Sequence, residues 1–182
     1  MKIKIKFFSS LFALMLSAFF YSQVIIGDSQ GTAANKNNVL LEFANTNNRG
    51  IILPYVRTLP TSPTQGTILV DAVVPAQSRV KYYNGSTWVD LSGQNANLTT
   101  TLNTQTNLQE SPASKAIIGS SNSTANGVLV LESNDKAMVL PIVSDVNNIP
   151  SPSPGMMVYV SKPGAKRLAV YNGERWSFWA PQ

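Results

Sequence analysis

Lys81-Tyr82-Tyr83-Asn84-Gly85-Ser86-Thr87-Trp88-Val89-Asp90 and, 88 residues later, Ala169-Val170-Tyr171-Asn172-Gly173-Glu174-Arg175-Trp176-Ser177-Phe178 decide how this chain folds. Each stretch sets Asn-Gly between flanks rich in Tyr, Val and Trp. Asn-Gly favours a tight type I′ hairpin, because both residues tolerate positive φ. A two-residue loop sets Tyr83 opposite Ser86, Lys81 opposite Trp88 and Ala169 opposite Trp176. Both tryptophans then occupy the same face of their hairpins.

The match extends upstream from both hairpins. Val24-Ile25-Ile26-Gly27 aligns with Ala116-Ile117-Ile118-Gly119, and Glu42 with Glu132. Pro54 aligns with Pro141, and Gly66 with Gly155. The offset between copies drifts from 92 through 90, 87 and 89 to 88, so length changes fall in the connections while the blocks keep their spacing. Each block is a short Val/Ile/Leu/Tyr/Trp run bounded by Gly, Pro, Asn or Ser, which predicts strands. Pro54 and Pro141 sit within apolar runs. Lacking an N–H, each marks a strand end, an edge or a bulge. The predicted fold is all-β: two tandem homologous small β units, residues 24–91 and 116–182, of about five strands each. Units this small bury limited cores, so packing together or oligomerisation is expected to complete them.

Composition excludes much chemistry. The 182 residues contain no Cys and no His, with 43% hydrophobic and 13% charged residues. Disulfides, thiolate zinc sites and histidine-based triads are therefore out. The net charge of +5 comes largely from one segment. Residues 1–23 carry Lys2, Lys4 and Lys6, an apolar stretch from Phe7 to Phe20, and the polar end Tyr21-Ser22-Gln23. That layout predicts a secretory signal peptide, and hence a secreted or cell-surface protein with no membrane association after cleavage. Loss of three lysines leaves eleven basic against nine acidic residues, a net +2. The remaining basic residues are scattered, so nucleic acid is not an expected partner. In an oxidising space, zero Cys shifts the burden of stability to packing or assembly.

Residues 92–115, rich in Asn, Thr, Gln and Ser, are expected to be a polar, flexible linker. Leu91, Leu98 and Leu102 fall on a heptad seam, an alternative that a short oligomerising stalk would use, but Thr99-Thr100-Thr101 is poor helix material.

The block order resembles a repeat of secreted and surface proteins of Bacteroidetes, themselves similar to phage-tail-fibre or adhesin-like modules. The resemblance rests on Val39–Glu42, Arg49-Gly50, Ile51–Pro54, Gly66–Val70 and Tyr83–Trp88. In the second copy it rests on Val128–Glu132, Lys136, Met138–Pro141, Gly155–Val160 and Tyr171–Trp176. It implies a β-rich, non-enzymatic structural or adhesion module that associates with itself, in some cases as a trimer. Departures at Tyr55, Ile142, Asp71 and Ser161 bar any carry-over of the residue roles there.

No catalytic, cofactor or metal residues are predicted. A glycosidase needs two nearby carboxylates, yet only Glu42 and Glu132 match between copies; Asp71 and Asp90 correspond to Val160 and Phe178. Glu42 with Arg49, and Glu132 with Lys136, read as surface ion pairs. Asn134-Asp135 and Asp145–Asn148 read as turns rather than calcium loops. Tyr83, Trp88, Tyr171 and Trp176 are the candidate ligand-binding residues. Aromatic rings either fill small cores or stack on sugars, so a carbohydrate-binding module acting on surface glycans is the alternative function.

Overall fold

The computed structural model describes residues 23–105 and 114–179. The signal peptide expected over 1–23 lies outside the described residues except for Gln23, and so does the 106–113 part of the expected linker. The first unit contains β1 (Val24–Ile26), β2 (Val39–Phe43), β3 (Ile51–Ile52), β4 (Tyr55–Val56), β5 (Ile68–Asp71), β6 (Arg79–Tyr83) and β7 (Trp88–Asp90). A single helical turn, α1 (Thr99–Asn103), follows. The second unit contains β8 (Ala116–Ile118), β9 (Leu129–Leu131), β10 (Ala137–Val139), β11 (Ile142–Val143), β12 (Met156–Val160), β13 (Arg167–Tyr171) and β14 (Trp176–Trp179).

Strand pairing repeats with the sequence. β1 runs parallel to β2, as β8 does to β9. β4 runs parallel to β5, and β5, β6 and β7 continue antiparallel; β11 to β14 follow the same pattern. Each unit has seven strands among the described residues rather than the expected five or so. The surplus comes partly from the apolar runs, which the prolines split. Pro54 donates nothing, but its carbonyl accepts from Val70 N at 2.9 Å, and Pro141 O accepts from Tyr159 N at 2.9 Å. A proline is tolerated here because only its acceptor is used.

The hairpins differ from the expected register. Tyr83 lies opposite Trp88 and Lys81 opposite Asp90; Tyr171 lies opposite Trp176 and Ala169 opposite Phe178. The loops are therefore Asn84–Thr87 and Asn172–Arg175. Only the glycines take positive φ, Gly85 at 100° and Gly173 at 114°. The asparagines act through their side chains instead. Asn84 Oδ1 accepts from Ser86 N at 2.9 Å and Thr87 N at 2.8 Å; Asn172 Oδ1 accepts from Glu174 N at 2.9 Å and Arg175 N at 2.8 Å. That Asx geometry competes with the two-residue turn and wins.

The two units interlock. β10 of the second unit adds parallel to β2 of the first, with Met138 beside Leu41 and Val139 beside Glu42. β3 of the first adds antiparallel to β12 of the second, with Ile51 beside Met157 and Ile52 beside Met156. Gly50 permits this approach: a Cβ there would lie 2.6 Å from Met156 Cγ. The main core is shared, with Val70 and Val80 from one unit packed with Met157 and Val170 from the other. The opposite face of β12 and β13 (Met156, Val158, Val160, Ala169) is covered by Val143, Val146 and Ile149.

Residues 92–105 are not the free chain their composition suggests. Ala96, Leu98 and Leu102 are buried in the shared core. Ala96 forms an antiparallel bridge with Ser78, and Asn172 Nδ2 donates to Gln94 O at 3.1 Å. The three leucines on the supposed seam, Leu91, Leu98 and Leu102, all face this intramolecular core. Burying each of Leu98 and Leu102 is worth about 1.5–3 kcal/mol, which fixes the segment despite its polar neighbours.

Candidate functional site

The antiparallel register of β6–β7 and β13–β14 brings the four aromatic candidates together as two pairs. Tyr83 and Trp88 stand with ring centroids 5.4 Å apart and planes tilted by 53°. Tyr171 and Trp176 stand 5.2 Å apart, tilted by 43°. All four rings are half-buried. Tyr171 and Trp176 lean on the second unit's own core, so each pair offers part of its surface to packing and part to solvent.

Beside Trp176 lies a cleft of about 350 Å³, lined by Asp145, Asn147, Lys162, Arg167, Trp176 and Phe178 among others. Arg167 stacks on Phe178, its guanidinium carbon 4.3 Å from the ring centre. Its buried Nε has no hydrogen-bond partner among the described residues. The first unit treats the matching arginine differently. Arg79 pairs with Asp90, and its Nε donates to Asn95 Oδ1 at 2.7 Å. The contrast is visible in the sequence, since Arg79 and Arg167 share the hairpin offset while Asp90 is replaced by Phe178.

The acids are structural in their contacts. Asp145 Oδ1 accepts from Asn147 N at 3.0 Å, and Lys162 Nζ lies 3.5 Å from Asp145 Oδ2. The Asn147 bond, assisted by Lys162, holds the Asp145 carboxyl below its ordinary value. Lys81 pairs with Asp71 at 2.7 Å. Burial pushes Asp90 up, but bonds from Ser92, Arg79 and Gly93 reverse this and leave it lowered.

Glu42 departs most from expectation. It is fully buried rather than at the surface, and its cation is Lys36, not Arg49. Its carboxylate also accepts from Thr32 N and Ala33 N, each at 2.8 Å, and from Gln23 Nε2. Burial raises its carboxyl, while the bonds from Ala33, Lys36 and Thr32 outweigh that and lower it. Gly31, at φ +67°, lets the loop close on this carboxylate, because a Cβ would lie 2.2 Å from Glu42 Cδ. Glu132 accepts from Ser123 Oγ and makes no ion pair with Lys136 among the described residues. Both glutamates therefore fasten the loop before their own strand.

Several large apolar side chains remain exposed, among them Ile52, Val128, Leu129, Phe178 and Trp179. No helix among the described residues is long and apolar enough to cross a membrane.

Residues 117–181, essentially the second unit, match the family model described as "Phage tail like trimerisation region". No curated protein and no solved structure matches the chain. The chain is thus similar, over its second unit, to a phage-tail-like trimerisation module. The first unit, outside that match, repeats the second unit's strand pairing.

Proposed function

We propose that the protein is an exported structural module of a trimeric, tail-fibre-like assembly, with no enzymatic role. The observation that carries this is the match of residues 117–181 to a trimerisation region. It is supported by exposed apolar side chains on short strands, which a lone β protein leaves at risk of aggregation. The leader-like residues 1–23 support export to the cell exterior or surface. Light scattering on the purified protein tests the assembly: three chains per particle are expected, and a stable monomer would sink the proposal. A mass shortened by the leader after expression in the native host tests export.

Adhesion to surface glycans is a second function compatible with the same fibre. The cleft beside Trp176 favours it, since an aromatic wall with Arg167 and Lys162 suits a sugar ring bearing an acidic group. Binding on a glycan array that disappears in a folded Trp176→Ala protein would support this; a blank array with the unaltered protein would count against it.

A further inference from the structure

The two units are alike in sequence and pairing, so places where one unit lacks a neighbour that the other has show what the single chain leaves unfilled. Three such places occur. β2 is flanked on both sides, by β1 and β10, whereas among the described residues its counterpart β9 pairs only with β8. The consequence shows in matched side chains: Val39, beside Ala137 of β10, is 5% exposed, while Leu129 is 48% exposed. Next, one edge of β12 is shared by β11 at its end and β3 at its start. The counterpart strand β5 has β4 at its end and, among the described residues, no strand at its start. Finally, a Cβ on Gly155 would meet Leu53 O at 3.3 Å and Val70 Cγ2 at 2.5 Å, while one on the matching Gly66 would meet nothing within 4 Å.

The strands that could fill these gaps are also half-used. Among the described residues β3 pairs with β12 only, leaving Ile52 54% exposed, and β10 pairs with β2 only. Within the chain, a β3-type strand takes the β5-type edge of the following unit, and a β10-type strand takes the β2-type edge of the preceding one. Continuing the same rule past the chain's own two units gives one junction with two pairings. It joins the second unit of one copy to the first unit of the next.

We propose that copies of this chain associate head to tail through strand addition, β3 of one copy adding parallel to the free edge of β9 in its neighbour, while the neighbour's β10 adds antiparallel to the start of β5. The in-chain registers fix the details. Met138 beside Leu41 becomes Ile51 beside Leu131, and Val139 beside Glu42 becomes Ile52 beside Glu132. Ile52 beside Met156 becomes Val139 beside Thr67, and Ile51 beside Met157 becomes Met138 beside Ile68. Both vacant edges close in the same contact, and Ile52 and Leu129 are covered together. A head-to-tail contact closes into a ring when its rotation allows and otherwise runs on as a filament. Closure at three chains, six units in all, rests on the trimer proposed above; the pairing itself rests on the two units' mismatched edges.

The chain has no cysteine, so introduced pairs report without interference. Paired strands lie about 4.8 Å apart, within disulfide reach. The full-length Ile51→Cys/Leu131→Cys protein, oxidised and run on a non-reducing gel, is expected to give bands of two and three chains and nothing larger. Thr67→Cys/Val139→Cys tests the second pairing in the same way and serves if the first variant folds poorly. Each single-cysteine protein is expected to yield no three-chain band. Light scattering on the unaltered protein separates the two proposals. A trimer whose cysteine pairs stay unlinked, or close within one chain, would overturn the junction and leave trimerisation standing. A monomer would overturn both, and a ladder running past three chains would overturn ring closure.

Discussion

Glu42 shows how one side chain can organise a loop that has almost no core of its own. Its carboxylate gathers Lys36, Thr32 and Ala33 beneath β2. Replacing it by glutamine keeps the shape but removes the charge those donors face, and a buried donor without its acceptor costs about 1–3 kcal/mol. Chemical denaturation of Glu42→Gln should show a loss of that order. The pH dependence follows from the same contacts. The Glu42 carboxyl is lowered in the folded protein, as are Asp90 and Asp145. The folded state therefore binds protons less readily than the unfolded one, so their stabilisation is fully present above the ordinary carboxyl range near pH 4 and drains away as pH falls through the lowered values. Melting temperature from pH 7 down to 3 should fall below about pH 4, and less steeply in Glu42→Gln. The two hairpin asparagines offer a matched comparison. Asn84 is exposed and serves only its own loop, whereas Asn172 is 1% exposed and also donates to Gln94 O. Asn84→Ala should cost about 1 kcal/mol, and Asn172→Ala about 2–3 kcal/mol, because it removes a buried side chain and strips a half-buried carbonyl of its donor as well. Equal losses in urea titrations would show that the bond to Gln94 contributes nothing.

Helix α1 is too short to persist by itself, since isolated helices under about 12 residues are marginal in water. It stands because Leu98 and Leu102 reach the shared core, so Leu98→Ala and Leu102→Ala should each cost about 2–5 kcal/mol in denaturant unfolding. A loss below about 1 kcal/mol would show the segment to be a bystander. This segment also shows where sequence was legible and where it was not. The spacing of Leu91, Leu98 and Leu102 was visible, but three threonines and a polar surround gave no sign that the partners were Val70, Met157 and Val170, residues distant in the chain. The strands themselves were legible, because Val/Ile/Leu runs closed by Gly, Pro and Asn have few other uses. The hairpin register was not, because Asn84 can either adopt positive φ or cap the loop with its carboxamide, and only the fold selects the second. The cross-unit pairings β10 to β2 and β3 to β12 were invisible for a related reason. A two- or three-residue strand specifies a face but not a partner, and nothing local distinguishes Ile51 paired within its unit from Ile51 paired across. The four candidate aromatics flank the two loops that Asn-Gly marked in the sequence. Sequence misjudged Glu42 because burial depends on the loop folded over it.

The assembled chain leaves a question that can be decided by taking it apart. Met157, Val170 and Leu168 of the second unit face side chains of the first, and the start of β12 is closed by β3. Residues 114–179 alone would therefore expose one face of β12 and β13 and a bare strand edge. A fragment this small buries too little to make good that loss. Yet this is the segment similar to a trimerisation region, and neighbouring copies could supply the missing surfaces. The fragment should then fold only as it assembles. Its melting temperature should climb steeply with concentration, since binding to the folded state alone stabilises by mass action. The intact chain, whose two units already cover much of each other, should show a weaker dependence. Circular dichroism melts at concentrations spanning a hundredfold measure this directly. A fragment that melts as a monomer at the temperature of the intact chain would mean the shared core is dispensable, and that the first unit is a passenger rather than half of the fold.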